Sequence, residues 1–100
     1  VLALGSHKKE LFECDEQERN DFMADVAAAT KAIKKLWGCT KMNIGSFGDT
    51  NPHLHFHLVP KYEGGFEFGG GFVITNPEPV HLKDEEYQEM ITALKGELGI

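Results

Sequence analysis

From Asn51 to Val59 the chain reads Asn-Pro-His-Leu-His-Phe-His-Leu-Val, with histidines and apolar residues in strict alternation. In an extended strand, successive side chains point to opposite faces. His53, His55 and His57 therefore share one face, and Leu54, Phe56 and Leu58 share the other. The pattern predicts a strand over His53–Val59, stopped by Pro60. Its back is apolar and suited to a core, and its front carries three imidazoles.

The clearest helix signal lies upstream. Asp15 suits an N-cap, and Glu18 stands three residues later, as in a capping box. Acidic residues crowd the first turn, while Lys31, Lys34 and Lys35 crowd the last turns as a solvated end. Both placements suit the helix dipole. Phe22, Val26, Ala29, Ile33 and Leu36 fall at helical spacing and form one apolar stripe, and Gly38 supplies a stop. Val1 to Leu4 and Lys41 to Ile44 read as two further short strands. Gly45 to Pro52 is a loop of turn formers, and Gly64 to Gly71 is a flexible loop leading toward an edge strand at Phe72 to Thr75. Asn76 to Pro79 is a turn. A second helix is expected from about Lys83 to Leu98, with Tyr87, Met90, Ile91, Leu94 and Leu98 on one face. Lys61 reads equally well as a surface lysine or as one within reach of a phosphate.

With 100 residues, the chain fits one domain over 1–100. A domain this short buries a modest share of its surface, so pairing with a second copy is expected. The formal net charge of −6 argues against a nucleic-acid-coating protein and against sequence-specific nucleic-acid binding. It leaves a small phosphate ligand open, because a pocket acts through its local field. Cys14 and Cys39 lie far apart with no CxxC partner, which excludes a cysteine zinc site and reads as reduced and intracellular. No stretch is long enough to span a membrane. The chain opens on what resembles the body of a strand, so a leading segment is expected to precede it.

Three imidazoles in alternation are uneconomical as packing, because each brings a donor and an acceptor that need partners when buried. Two readings remain. One is metal binding, which needs a further ligand, and neither His7 nor His81 stands at a ligand spacing. The other is nucleophilic attack on phosphorus by a neutral imidazole, with neighbouring rings and loop amides holding the oxygens. The loop before the strand favours the second. Gly45, Ser46, Gly48 and Thr50 are small or hydroxylic, and backbone N–H groups in such a loop can form an anion nest.

The segment His53-Leu54-His55-Phe56-His57-Leu58-Val59 resembles the motif that gives the histidine triad (HIT) family its name. Asn43, ten residues before His53, lies close to an Asn that the family carries upstream. Gly48 and Thr50 match small and hydroxyl positions of the family's loop, and Val1 to Lys8 resembles the strand leading into its first helix. The order of elements up to about Tyr62 is also similar. The resemblance implies an α+β fold, with one long helix packed on an antiparallel sheet and a C-terminal helix. It implies a nucleotide hydrolase that cleaves at the α-phosphorus of a dinucleoside polyphosphate or a nucleoside phosphoramidate. His55 resembles the nucleophile that forms a nucleotidyl-imidazole intermediate. His57 resembles the His that contacts the α-phosphate, and His53 the His that supports the ring arrangement. Asn43, Gly48 and Thr50 resemble phosphate-site residues. The resemblance further implies no metal or cofactor held by the protein, Mg²⁺ arriving only with the substrate, a homodimer and a cytoplasmic location.

Asp49 stands where many members carry Gln, and a carboxylate aimed at a phosphate would repel it. With the expected missing segment, this motivates an alternative: a catalytically weak nucleotide-binding or interaction module of the same fold. A His-metal protein is the third reading.

Overall fold

The computed structural model of the chain describes residues 1–73 and 76–100. Five elements follow one another: β1 (Leu2–Ala3), α1 (Glu16–Trp37), β2 (Lys41–Gly45), β3 (His55–Lys61) and α2 (Asp84–Leu98). A single 3-10 turn at Leu11–Glu13 precedes α1. The strands form one antiparallel sheet in the order β1-β3-β2, so the histidine strand is central. The fold is α+β, as expected.

Helix α1 begins and ends where local chemistry dictates. The Asp15 carboxylate accepts the Glu18 N–H at 2.8 Å, satisfying one of the free donors of the first turn. The expected reciprocal half of the capping box is absent, because Glu18 is drawn elsewhere. Its carboxylate accepts from the Ser6 hydroxyl at 2.8 Å and from the Lys8 ammonium. Those bonds hold its carboxyl below the usual range, with the Lys8 contact as the leading cause. The Lys8 backbone carbonyl in turn accepts the Leu54 N–H at 2.9 Å. One residue thus ties the approach to β3 to the first turn of α1. At the other end Gly38 adopts φ 62°, a left-handed cap, and returns its N–H to the Lys34 carbonyl at 2.8 Å.

The back of the sheet packs on α1. Leu4, Phe22 and Leu54 form the central buried cluster, with Leu2, Leu11, Cys14 and Phe56 against it. The Phe22 and Phe56 rings meet at 5.3 Å. Phe22 is 4% exposed and Val26 2%. Burying a side chain of this kind stabilises the fold by about 1.5–3 kcal/mol. This is the layer that the Leu54, Phe56, Leu58 alternation demanded.

Three expectations need correction. First, β3 starts at His55 and runs through Pro60 to Lys61. At its start, the Asn51 side chain accepts the His53 N–H at 3.3 Å in a turn that delays the ladder. At its end, Pro60 pairs with Met42 on the β2 side, while β1 pairs only as far as Phe56. A missing N–H is tolerated where one edge of a strand has no neighbour. Second, the face of α2 expected to pack is largely open: Tyr87 is 43% exposed and Ile91 42%. Of that face only Met90 and Leu94 are half-buried; Met90 lines a cleft with Ala93 and Trp37, and Glu97 pairs with Lys35 at 2.5 Å. Third, Phe72 and Val73 carry no regular structure. The rest of that expected edge strand, Ile74 and Thr75, lies outside the described residues. Ahead of these residues, the glycine run forms turns, with Gly64 and Gly69 at φ 79° and 82°.

Candidate active site

The register of the sheet assembles the front face. Leu2 and Leu4 point with Leu54 toward α1, so Val1 and Ala3 share the opposite face with the histidines. Val1, Ala3, Asn51, His53, His55 and His57 line a cavity of about 320 Å³. All three sequence-predicted histidines therefore meet around one space.

Their ring nitrogens are not equivalent. His53 Nε2 lies 2.7 Å from the Leu4 carbonyl oxygen, and His55 Nδ1 lies 2.6 Å from the His53 carbonyl oxygen. A carbonyl oxygen only accepts, so each of these nitrogens carries the proton and donates. In a neutral His55 ring the lone pair is then left on Nε2. The strand also restrains this residue from behind, since the Ser46 hydroxyl donates to the His55 carbonyl at 2.8 Å. His55 and His57 stand edge to face at 5.1 Å. Burial, then the neighbouring His55, push His57 below its ordinary value of 6.5. His57 thus stays neutral at lower pH than a free imidazole.

The other predicted residues divide. Asn43 pairs with Val59, two rungs along β2 from the Gly45–His57 pair, and so lies on the histidine face. Gly48 and Thr50 are exposed loop residues that do not line the triad cavity. Gly48 instead lines a larger groove of about 630 Å³ with Lys9, Leu11, Asp49, His53 and Phe56. Asp49, whose charge raised the question of repulsion, lines that groove together with His53 and does not line the triad cavity. Lys61 is 4% exposed, which corrects the surface reading. Its ammonium donates to the Phe66 carbonyl at 3.3 Å and sits 5.5 Å from the Phe66 ring.

Sequence reasoning missed three neighbours. His7 meets His53 edge to face at 5.8 Å. Phe47 lies 6.1 Å from His57 and 5.3 Å from Phe72. Nothing in the local pattern marks these contacts, although a glycine directly across the ladder from His57 was a usable hint. Among the described residues no group of three His, Cys, Asp or Glu is placed to hold a metal ion, and no helix is long and apolar enough to cross a membrane. Both cysteines are free.

The HIT domain model matches residues 3–64, from β1 to just past the end of β3. No curated protein matches the chain significantly. Among solved structures, a histidine triad protein from Bradyrhizobium japonicum aligns at TM-score 0.82 and 25% identity, over 92% of this chain and 68% of its own. A HIT protein from Sinorhizobium meliloti 1021 aligns at 0.77 and 24% identity, over 89% and 65%. A histidine triad protein from Marinobacter aquaeolei VT8 aligns at 0.75 and 25% identity, over 93% and 66%. The chain spans about two thirds of the length of each. With its triad strand central in the sheet and the family match running through it, this chain belongs to the histidine triad family.

Proposed function

We propose that the chain is a nucleotidyl hydrolase that cleaves at the α-phosphorus of a dinucleoside polyphosphate or nucleoside phosphoramidate. One observation carries this reading: the 2.6 Å bond from His55 Nδ1–H to the His53 carbonyl, which leaves the Nε2 lone pair free. His55 Nε2 attacks phosphorus, and the bond to the leaving group breaks with its electron pair going to that group, which takes up a proton. The resulting ring is cationic, and the His53 carbonyl against Nδ1–H stabilises that charge. Water then attacks the nucleotidyl-imidazole, releasing the nucleoside monophosphate and restoring His55. His57, neutral and adjacent, is the group for the α-phosphate oxygens. His53, anchored to Leu4, holds the backbone that His55 leans on. Asn43 supplies a polar group from β2, and Gly48 and Thr50 belong to the loop that approaches the phosphate.

On this reading the protein holds no metal, and Mg²⁺ arrives only with the substrate. The bonds of His53 Nε2 and His55 Nδ1 to backbone carbonyls leave the second ring nitrogen of each free, but among the described residues no group of three His, Cys, Asp or Glu is placed to hold a metal ion. The working form is a cytoplasmic homodimer; β2 has no second neighbour among the described residues, so its outer edge can pair. A catalytically weak binding module is the second reading, favoured by the absence of Gly48 and Thr50 from the triad cavity. The test incubates wild type and His55→Ala with adenosine 5′-phosphoramidate and with diadenosine tetraphosphate and follows nucleotide release by chromatography. Release by wild type alone supports the hydrolase. AMP binding without release by wild type supports the module.

A further inference from the structure

Beside His57 the chain builds an aromatic surface for which the phosphoryl chemistry has no use. Gly45 pairs with His57 across β2 and β3, and its missing side chain leaves a slot on the histidine face. Phe47, two residues later, folds back into that slot. A Cβ at Gly45 would lie 2.8 Å from Phe47 Cε2, closer than real Cβ atoms approach, and 3.1 Å from Phe72 Cζ, a tight contact. The rings of His55, His57, Phe47 and Phe72 then run in one row, with successive centroids 5.1, 6.1 and 5.3 Å apart. Phe47 is nevertheless 44% exposed, so it is a ring fixed from below and open above.

The two sides of the triad differ. On the β1 side lies the cavity of about 320 Å³, at the small end of the range for ligand pockets, roughly 300–1,000 Å³. On the β2 side lies the aromatic row. A phosphoryl group at His55 and His57 carries two substituents, and on the hydrolase reading the nucleoside takes the cavity, which leaves the aromatic side to the leaving group. We propose that Phe47 and Phe72 form a stacking platform for a planar aromatic ring in the leaving group, so that this chain prefers substrates whose leaving group is aromatic. The proposal rests on the hydrolase reading for its assay. Its physical basis is that π faces stack without requiring a particular hydrogen-bond pattern.

The experiment compares two adenosine 5′-phosphoramidates, one unsubstituted on nitrogen and one N-benzyl, and reads the ratio of their kcat/KM values. Wild type should favour the benzyl compound by about tenfold, the scale of one aromatic stack. Phe47→Ala should bring the ratio to near one, and Gly45→Ala, which keeps the ring but displaces it, should lower it. Phe47→Leu serves if the alanine variant does not fold, since it retains apolar volume without the π face. A ratio unaffected by these changes, or no wild-type preference, overturns the platform. If wild type turns over neither substrate, the hydrolase reading fails separately. The platform is then read by calorimetry with the O-benzyl and O-methyl esters of AMP. Tighter benzyl binding that is lost in Phe47→Ala supports it, and equal binding overturns it.

Discussion

The two faces of β3 and of the residues leading into it, from His53 onward, solve opposite problems with the same backbone. On the back, Leu54 and Phe56 meet α1 and are held by burial alone, so many apolar residues of similar size would serve. On the front, two imidazoles are placed by directed bonds, His53 to the Leu4 carbonyl and His55 to the His53 carbonyl, while His57 lies against the rings of His55 and Phe47. Burial is non-directional and tolerant, whereas a ring that must present one chosen nitrogen depends on a partner within hydrogen-bond reach. The back therefore sets stability, and the front sets chemistry.

Substitutions should separate the two. His55→Ala should lower nucleotide release by about 10³-fold or more, while the thermal midpoint stays close to that of wild type; a midpoint that collapses would show that the faces are not independent. Leu54→Ala, one residue away, should do the reverse. It should cost about 2–5 kcal/mol in chemical denaturation through the cavity left against Leu4 and Phe22, with turnover per folded molecule retained. Asp15→Ala, remote from the site, should cost about 1 kcal/mol by removing the cap of α1, and calorimetry would detect it.

The smallest effect is a titration. The His57 ring should show an NMR midpoint below 6.5, and His55→Ala should raise it by removing the electrostatic influence of the neighbouring imidazole and part of the burial. Because the folded value is depressed, the unfolded chain binds more protons between that value and 6.5. Stability should therefore fall as pH drops through this window, and His57→Gln should flatten the slope there.

Much of this was legible in the sequence where the cause is local. Asp15 and Gly38 bracket α1 because caps act within a turn, and the alternation through Leu54 and Phe56 assigned the two faces of β3 because pleating has a fixed period. The family motif named the three histidines for the same reason. The long-range partners were out of reach. Glu18 left its capping box for Ser6 and Lys8, and Lys61 was buried under the Phe66 loop. α2 kept Tyr87 and Ile91 open, since an apolar stripe states that a helix can pack without stating which edge meets its neighbour.

What the sequence by itself determined, then, is the set of elements and which face of the central strand carries imidazole, because those follow from periodicity and capping. Only the tertiary structure decided which nitrogen of His55 is free, that Pro60 belongs to the strand, and that Phe47 occupies the slot at Gly45. Each of those depends on atoms brought to a given position by the register of the sheet and the packing of α1, which no local pattern encodes.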